Sequence, residues 1–279
     1  MARRSSLVAV ARLDFAEVLR SRWLVFCFGV YALVAGVFTI VGLRESTVLG
    51  FTGMSRVLLS FIHVLLLVLP LLALTATAQA IGRARDDGAL ELLLAQPISR
   101  TAYFGAVAVV RYLALLVPLI ILLGVMAAAT GLVFGEEIPW GFVARTLVLS
   151  ATLLWAFVGL GLLVAAFVRD PAKATVWALL LWALGVALLD FALIALMLAW
   201  RLNAPAVFLL AALNPVESAR VALLSTAQPD LGVLGPVGFF LSTRVGPRAL
   251  FGIGVAWPAV LGSAVFAIAL RRFRRADVI

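Results

Sequence analysis

A chain of 279 residues that is 65% apolar and only 13% charged lies far outside the composition of a soluble globular domain. Its net charge of +9 comes from 22 basic residues, and their grouping between apolar runs points to membrane topology rather than nucleic-acid binding. One cysteine and one histidine exclude an intrachain disulfide, a multi-cysteine metal site and a two-histidine metalloprotease motif.

In chain order, Val8, Ala11, Phe15, Val18 and Leu19 recur at helical spacing, with Arg12, Glu17 and Arg20 off that face. This predicts an amphipathic helix over 1–22, lying on the inner membrane surface. Arg12, Asp14 and Glu17 interrupt the apolar run after Arg4, so the start does not read as a cleavable signal peptide. Six apolar stretches follow, near Trp23–Leu43, Val57–Ile81, Tyr103–Phe134, Phe142–Val168, Ala174–Trp200 and Leu250–Leu270. Each reaches the roughly 20 residues a spanning helix needs. None alternates with period two, which excludes a strand-built barrel. The expected fold class is therefore all-α integral membrane, with six transmembrane helices in a single domain over 1–279. Pro70 and Pro118 are expected to kink their helices.

Arg3, Arg4, Arg12, Arg20 and Arg22 precede the first stretch, and Arg83, Arg85 and Arg100 lie between the second and third. Arg169 and Lys173 lie between the fourth and fifth, and Arg271, Arg272, Arg274 and Arg275 follow the sixth. The other side holds chiefly Arg44, Arg56, Arg145, Arg201, Arg220, Arg244 and Arg248. The positive-inside rule then predicts a multi-pass membrane protein with both termini cytoplasmic.

The loop over 82–101 carries Asp86-Asp87-Gly88, the Leu-rich run Leu90–Leu94 containing Glu91, and the corner Pro97-Ile98-Ser99-Arg100. A short charged helix hung between two spanning segments has little use in lipid packing. It suits a protein pushed by a soluble partner.

Lys173, the chain's one lysine, is flanked by Ala172 and Ala174, so no phosphate loop ending Gly-Lys-Ser/Thr exists. Any ATP, with its Mg, belongs to another chain, and no enzyme activity or cofactor is assigned to this one. Two ionisable groups lie inside spans. Asp190 is about 15 Å along its helix from the outer end, where burial costs about 2.5–3.5 kcal/mol. His63 lies at comparable depth. The two either line a transport path or hydrogen-bond a neighbouring helix. Arg111 is placed to snorkel to the headgroups. Met54, Met126 and Met197 are scattered as packing residues are, and no metal site is assigned. In the long outer segment over 201–249, Asn214-Pro215-Val216-Glu217 reads as a helix start, with Glu217 bonding back to the cap amide. The helix through about Ser225 either rests on the outer boundary or docks a partner. The glycines and prolines after it predict irregular structure.

The inner-loop run, with its acidic pair, Gly, Leu-rich stretch with Glu, and Pro-Ile-Ser-Arg corner, resembles the signature of ABC-2 type (type V) permeases. The resemblance implies a homodimer bound to cytoplasmic, NosF-like ABC ATPase subunits. It further implies that Asp86, Asp87, Gly88, Leu90, Glu91, Pro97 and Arg100 couple the permease to them. Within that family, Leu49-Gly50-Phe51-Thr52, Leu213-Asn214-Pro215 and the closing Arg cluster are similar to the branch serving the copper centre of nitrous oxide reductase in denitrification. That likeness implies a periplasmic NosD-like partner, with Asn214, Glu217 and Arg220 as its candidate contacts. The competing expectations are an ABC-2 exporter of a lipid, glycan or drug, a lipid-modifying membrane enzyme, and a membrane anchor for a periplasmic complex.

Overall fold

The computed structural model describes residues 53–96, 98–134, 140–188, 204–227, 231 and 235–275, together with 25–34, 36–37, 15 and 195. Among these the fold is helical throughout, with no strand. The elements are α1 (Val25–Val34), α2 (Gly53–Ala78), α3 (Ala80–Asp86), α4 (Ala89–Ala95), α5 (Arg100–Phe134), α6 (Trp140–Phe167) and α7 (Pro171–Trp182). They continue with α8 (Ala204–Leu213), α9 (Pro215–Ala227), α10 (Gly235–Phe240) and α11 (Pro247–Arg275). A π-helical segment, Ala183–Leu188, extends α7, and another, Leu241–Val245, extends α10.

Among the described residues, four helices are long and apolar enough to cross a bilayer: Val64–Asp86, which joins α2 to α3, Arg100–Ala129 in α5, α6 and α11. The shorter apolar helices Val25–Val34 and Pro171–Val186 fall within the expected first and fifth spans, and the rest of those stretches lies largely outside the described residues, as does most of 1–22.

α6 is the centre of the bundle because its small residues admit neighbouring backbones. A Cβ on Gly262 of α11 would stand 2.8 Å from Ala156 Cα of α6, and one on Gly159 would stand 2.8 Å from the Gly262 carbonyl oxygen. On α2 the same holds for Thr77, whose Oγ1 would lie 1.8 Å from a Cβ on Gly161. Hydrogen bonds then pin the helices together. Trp155 Nε1 donates to Ser263 Oγ (3.1 Å), Tyr112 Oη to the Ala151 carbonyl (3.2 Å) and Trp182 Nε1 to the Leu67 carbonyl (3.0 Å). Overpacking such a crossing costs about 3 kcal/mol. Gly262→Val is therefore expected to lower the thermal midpoint of the purified chain markedly, whereas Gly252→Val, with open space at its Cβ, leaves it unchanged.

The segment over 201–249 differs most from expectation. Beyond α9, where irregular structure is expected, the described residues are largely helical, and before it α8 joins α9 in an apolar pair bent by 118°. Trp257 Nε1, about 15 Å into α11 at ~1.5 Å per residue, donates to the Leu213 carbonyl at the bend (3.0 Å). The far end of α9, at Ser225 and Thr226, lies beside Pro247 and Arg248 at the start of α11. The pair thus dips into the bundle and returns, with Asn214 at its tip. Instead of lying along a boundary, α9 is packed against α6 and α11, with Val216, Ala219 and Ala222 fully buried. Apolar residues recurring three apart give it a core-facing stripe. Beyond it, α10 and its π-helical extension end at Gly246 (φ +79), a left-handed position that suits glycine, and Pro247 opens α11.

Candidate functional site

Arg100, Arg272 and Arg274 meet at one end of the bundle. Arg100 Nη1 donates to the Arg274 carbonyl (3.1 Å), Arg272 stands over the Phe167 ring at 5.4 Å, and Tyr103 stacks on Phe273. This brings the α5 start, the α6–α7 turn and the α11 end together. α4 projects from the same end.

The arm is built from short-range rules. Asp87 N bonds the Arg83 carbonyl (2.9 Å) and Gly88 N the Arg85 carbonyl (3.0 Å), closing α3 with Gly88 left-handed at φ +69. The chain turns there and starts α4 at Ala89. The charged helix expected over 86–100 is thus confined to Ala89–Ala95, and Asp86 belongs to the helix before it. At the other side Ser99 Oγ accepts from Ala102 N (3.1 Å) and caps α5. Pro97 lies outside the described residues.

The arm is braced rather than free. Leu90 is fully buried, with Leu93 and Leu94 half-buried on the same face. A Cβ on Gly82 would stand 3.1 Å from both the Arg169 carbonyl oxygen and Pro171, so α3 rests against the α6–α7 turn. Gln79, at the α2–α3 junction, donates through Nε2 to Thr175 Oγ1 of α7 (2.6 Å) and accepts from Arg83. Exposed on the arm are Arg83, Asp86, Asp87, Glu91, Leu92, Ala95 and Gln96, with Leu92 73% exposed. The arrangement presents one large apolar side chain on a short helix that also exposes acidic groups, on a mount continuous with α2 and α5 and braced against α7.

Leu92, the Gly82 brace and the Gln79–Thr175 bond were not singled out in the sequence. Helical spacing does carry a signal for Leu92: it stands about 200° around the helix from Leu90. The Gly82 and Gln79 contacts join residues about 90 positions apart and leave no local trace.

The second polar locus is the tip of the bent pair. Asn214, 3% exposed, donates from Nδ2 to the Gly185 carbonyl (2.7 Å) and accepts at Oδ1 from Val216 N (3.0 Å). Gly185 lies in the π-helical stretch, where i→i+5 bonding displaces carbonyls from the regular ladder. The cap amide itself donates to the Ala211 carbonyl (3.0 Å). Glu217, expected to bond that amide, forms an ion pair with Arg220 one turn along α9, their side chains 13% and 22% exposed. His63 belongs to α2, and its side chain, like the whole of Asp190, lies outside the described residues. Arg111 lies within α5 and Met126 is buried in the core.

A helical membrane bundle carrying a braced, exposed helix at its basic end and a re-entrant helix pair towards the other is the build of a transporter's membrane subunit. The chain belongs to the ABC-2 family: the model described as "ABC-2 family transporter protein" matches residues 8–278. It is 28% identical over 273 residues to the probable ABC transporter permease protein NosY of Stutzerimonas stutzeri, covering 94% of this chain and 97% of that one. It is also 28% identical over 225 residues to the protein of the same name from Pseudomonas aeruginosa, covering 77% and 80%. It is a multi-pass permease of the ABC class.

Proposed function

We propose that this chain is the permease subunit of an ABC complex in which α4 is the element gripped by a cytoplasmic ATPase. The observation that carries it is Leu92, exposed among Asp86, Asp87 and Glu91 while Leu90 anchors the same short helix in the bundle. The complementary surface is an apolar notch rimmed by Arg or Lys. ATP with Mg binds on that partner subunit, and the basic end of the bundle faces the cytoplasm. Two copies of the permease with two ATPase subunits make the working unit.

Movement of the ATPase displaces α4 as a rigid lever. Because α4 is fixed to α3 through Gly88, to the core through Leu90, and through Gly82 and Gln79 to the start of α7, the displacement reaches α2, α5 and α7 together. The ATPase drives the change only as far as its affinity differs between the two membrane states. At the other end, the bent pair α8–α9 is joined to α7 by Asn214 and Gly185 and to α11 by Trp257, so it moves with them. Through this pair the complex acts on a periplasmic NosD-like partner, or passes a substrate along a path that includes His63 and Asp190. The NosY-named relatives favour assembly of the copper centre of nitrous oxide reductase over export of a lipid, glycan or drug.

Co-expression with a NosF-like ATPase tests the assembly. The expected result is co-purification in mild detergent, with ATP hydrolysis faster in the complex than in the isolated ATPase. A permease that elutes alone under those conditions would remove the proposal.

A further inference from the structure

At the end opposite the basic cluster, Arg145, Ser225, Thr226, Pro247, Arg248 and Phe251 line an open cavity of about 360 Å³ between α6, α9 and α11. Among the described residues, two arginines line it and no carboxylate does. Among the described residues neither Arg145 nor Arg248 has an ion pair or hydrogen-bond partner. The hydroxyls are already committed as donors, Ser225 Oγ to the Ala222 carbonyl and Thr226 Oγ1 to the Leu223 carbonyl, each at 2.7 Å. Both arginines are exposed, and two like charges on one open cavity give it a positive potential that attracts an anion. The first i→i−4 bond of α11 is Leu250 N to the Gly246 carbonyl (3.1 Å), so the amides of Arg248 and Ala249 precede the helical ladder and add positive potential.

The level of the cavity selects the anion. Trp140, 60% exposed, opens α6 where an amphipathic ring marks the membrane–water boundary. Arg145 lies about 8 Å farther in at ~1.5 Å per residue, within reach of the headgroup layer for a long basic side chain. One turn deeper on the same face, Val148 is exposed to the lipid side. A free anion would need none of this apolar continuation, whereas a phospholipid fits both parts. Its phosphodiester sits between the guanidinium groups, which match phosphate geometry, and its acyl chain runs over Val148.

We infer that this cavity is a binding site for the phosphate group of a phospholipid in the leaflet opposite the basic end. The site is independent of the ATPase assignment, and its test does not involve nucleotide. The purified full-length chain is titrated by native mass spectrometry with phosphatidylglycerol, with diacylglycerol of the same chains, and with inorganic phosphate as competitor. The expected result is saturable phosphatidylglycerol binding that falls about tenfold in Arg145→Gln/Arg248→Gln, is largely restored in Arg145→Lys/Arg248→Lys, and is unchanged in Arg244→Gln. Equal binding of phosphatidylglycerol by the wild type and the Gln pair would overturn the inference, and so would equal binding of diacylglycerol. Displacement by millimolar inorganic phosphate would assign the cavity to a free anion and overturn the lipid.

Discussion

Leu92→Asp is expected to leave the permease folded and to detach it functionally from its ATPase. Leu92 is largely exposed, so its replacement removes no packing within the chain. Burying a leucine in a partner's notch contributes about 2 kcal/mol, and its loss weakens assembly by about 30-fold. An aspartate would also add a fourth carboxylate to Asp86, Asp87 and Glu91 and would leave it desolvated in the interface. The measurement is ATP hydrolysis stimulated by the permease, beside the thermal midpoint of the permease alone. Stimulation should fall with the midpoint unchanged. Gly88→Val should have a related effect by another route, since a β-branched residue at φ +69 costs about 1–2 kcal/mol and re-aims α4. It should lower stimulation without weakening ATPase attachment as far as Leu92→Asp does. Wild-type stimulation in both variants would show that α4 transmits nothing.

The second large effect is expected at the ion pair in α9. Glu217 and Arg220 are mostly buried within a helix that dips into the bundle. Breaking such a pair by removing one partner costs about 3 kcal/mol, because the remaining charge loses its neutralising contact. Arg220→Ala should therefore lower the thermal midpoint strongly, and Arg220→Ala/Glu217→Gln should recover most of the loss. Equal destabilisation in the single and double variants would mean that Arg220 acts by packing its stem rather than by its charge.

The sequence revealed the elements whose signal is local. Continuous apolar runs set α2, α5, α6 and α11 to within a few residues, and Asn214-Pro215 marked the start of α9 because capping chemistry is written in adjacent residues. The arm over 82–101 was legible for the same reason, since acid, glycine and leucine lie side by side. Residues that act across the fold were not legible. The re-entrant course of α8 and α9 depends on Trp257 of α11, on Gly254 of α11, where a Cβ would stand 2.9 Å from the Ser218 carbonyl oxygen of α9, and on Gly185 in the π-helical extension of α7, none of them local to 204–227 in sequence. Treating 201–249 as a loop followed from its glycines and prolines, which here cap and bend helices. Glu217 fits the capping-box pattern, yet a cation three residues on offered its carboxylate a stronger partner.

The most direct measurement exploits the chain's single cysteine, Cys27, which is fully buried. Leu92→Cys places one accessible thiol on α4, where a short bifunctional reagent reports its neighbours in the assembled membrane complex. A cross-link from position 92 to the ATPase subunit, absent for Arg248→Cys at the opposite end, is the predicted result. A thiol at position 92 that labels freely with a water-soluble maleimide in the full complex and captures no ATPase would contradict it.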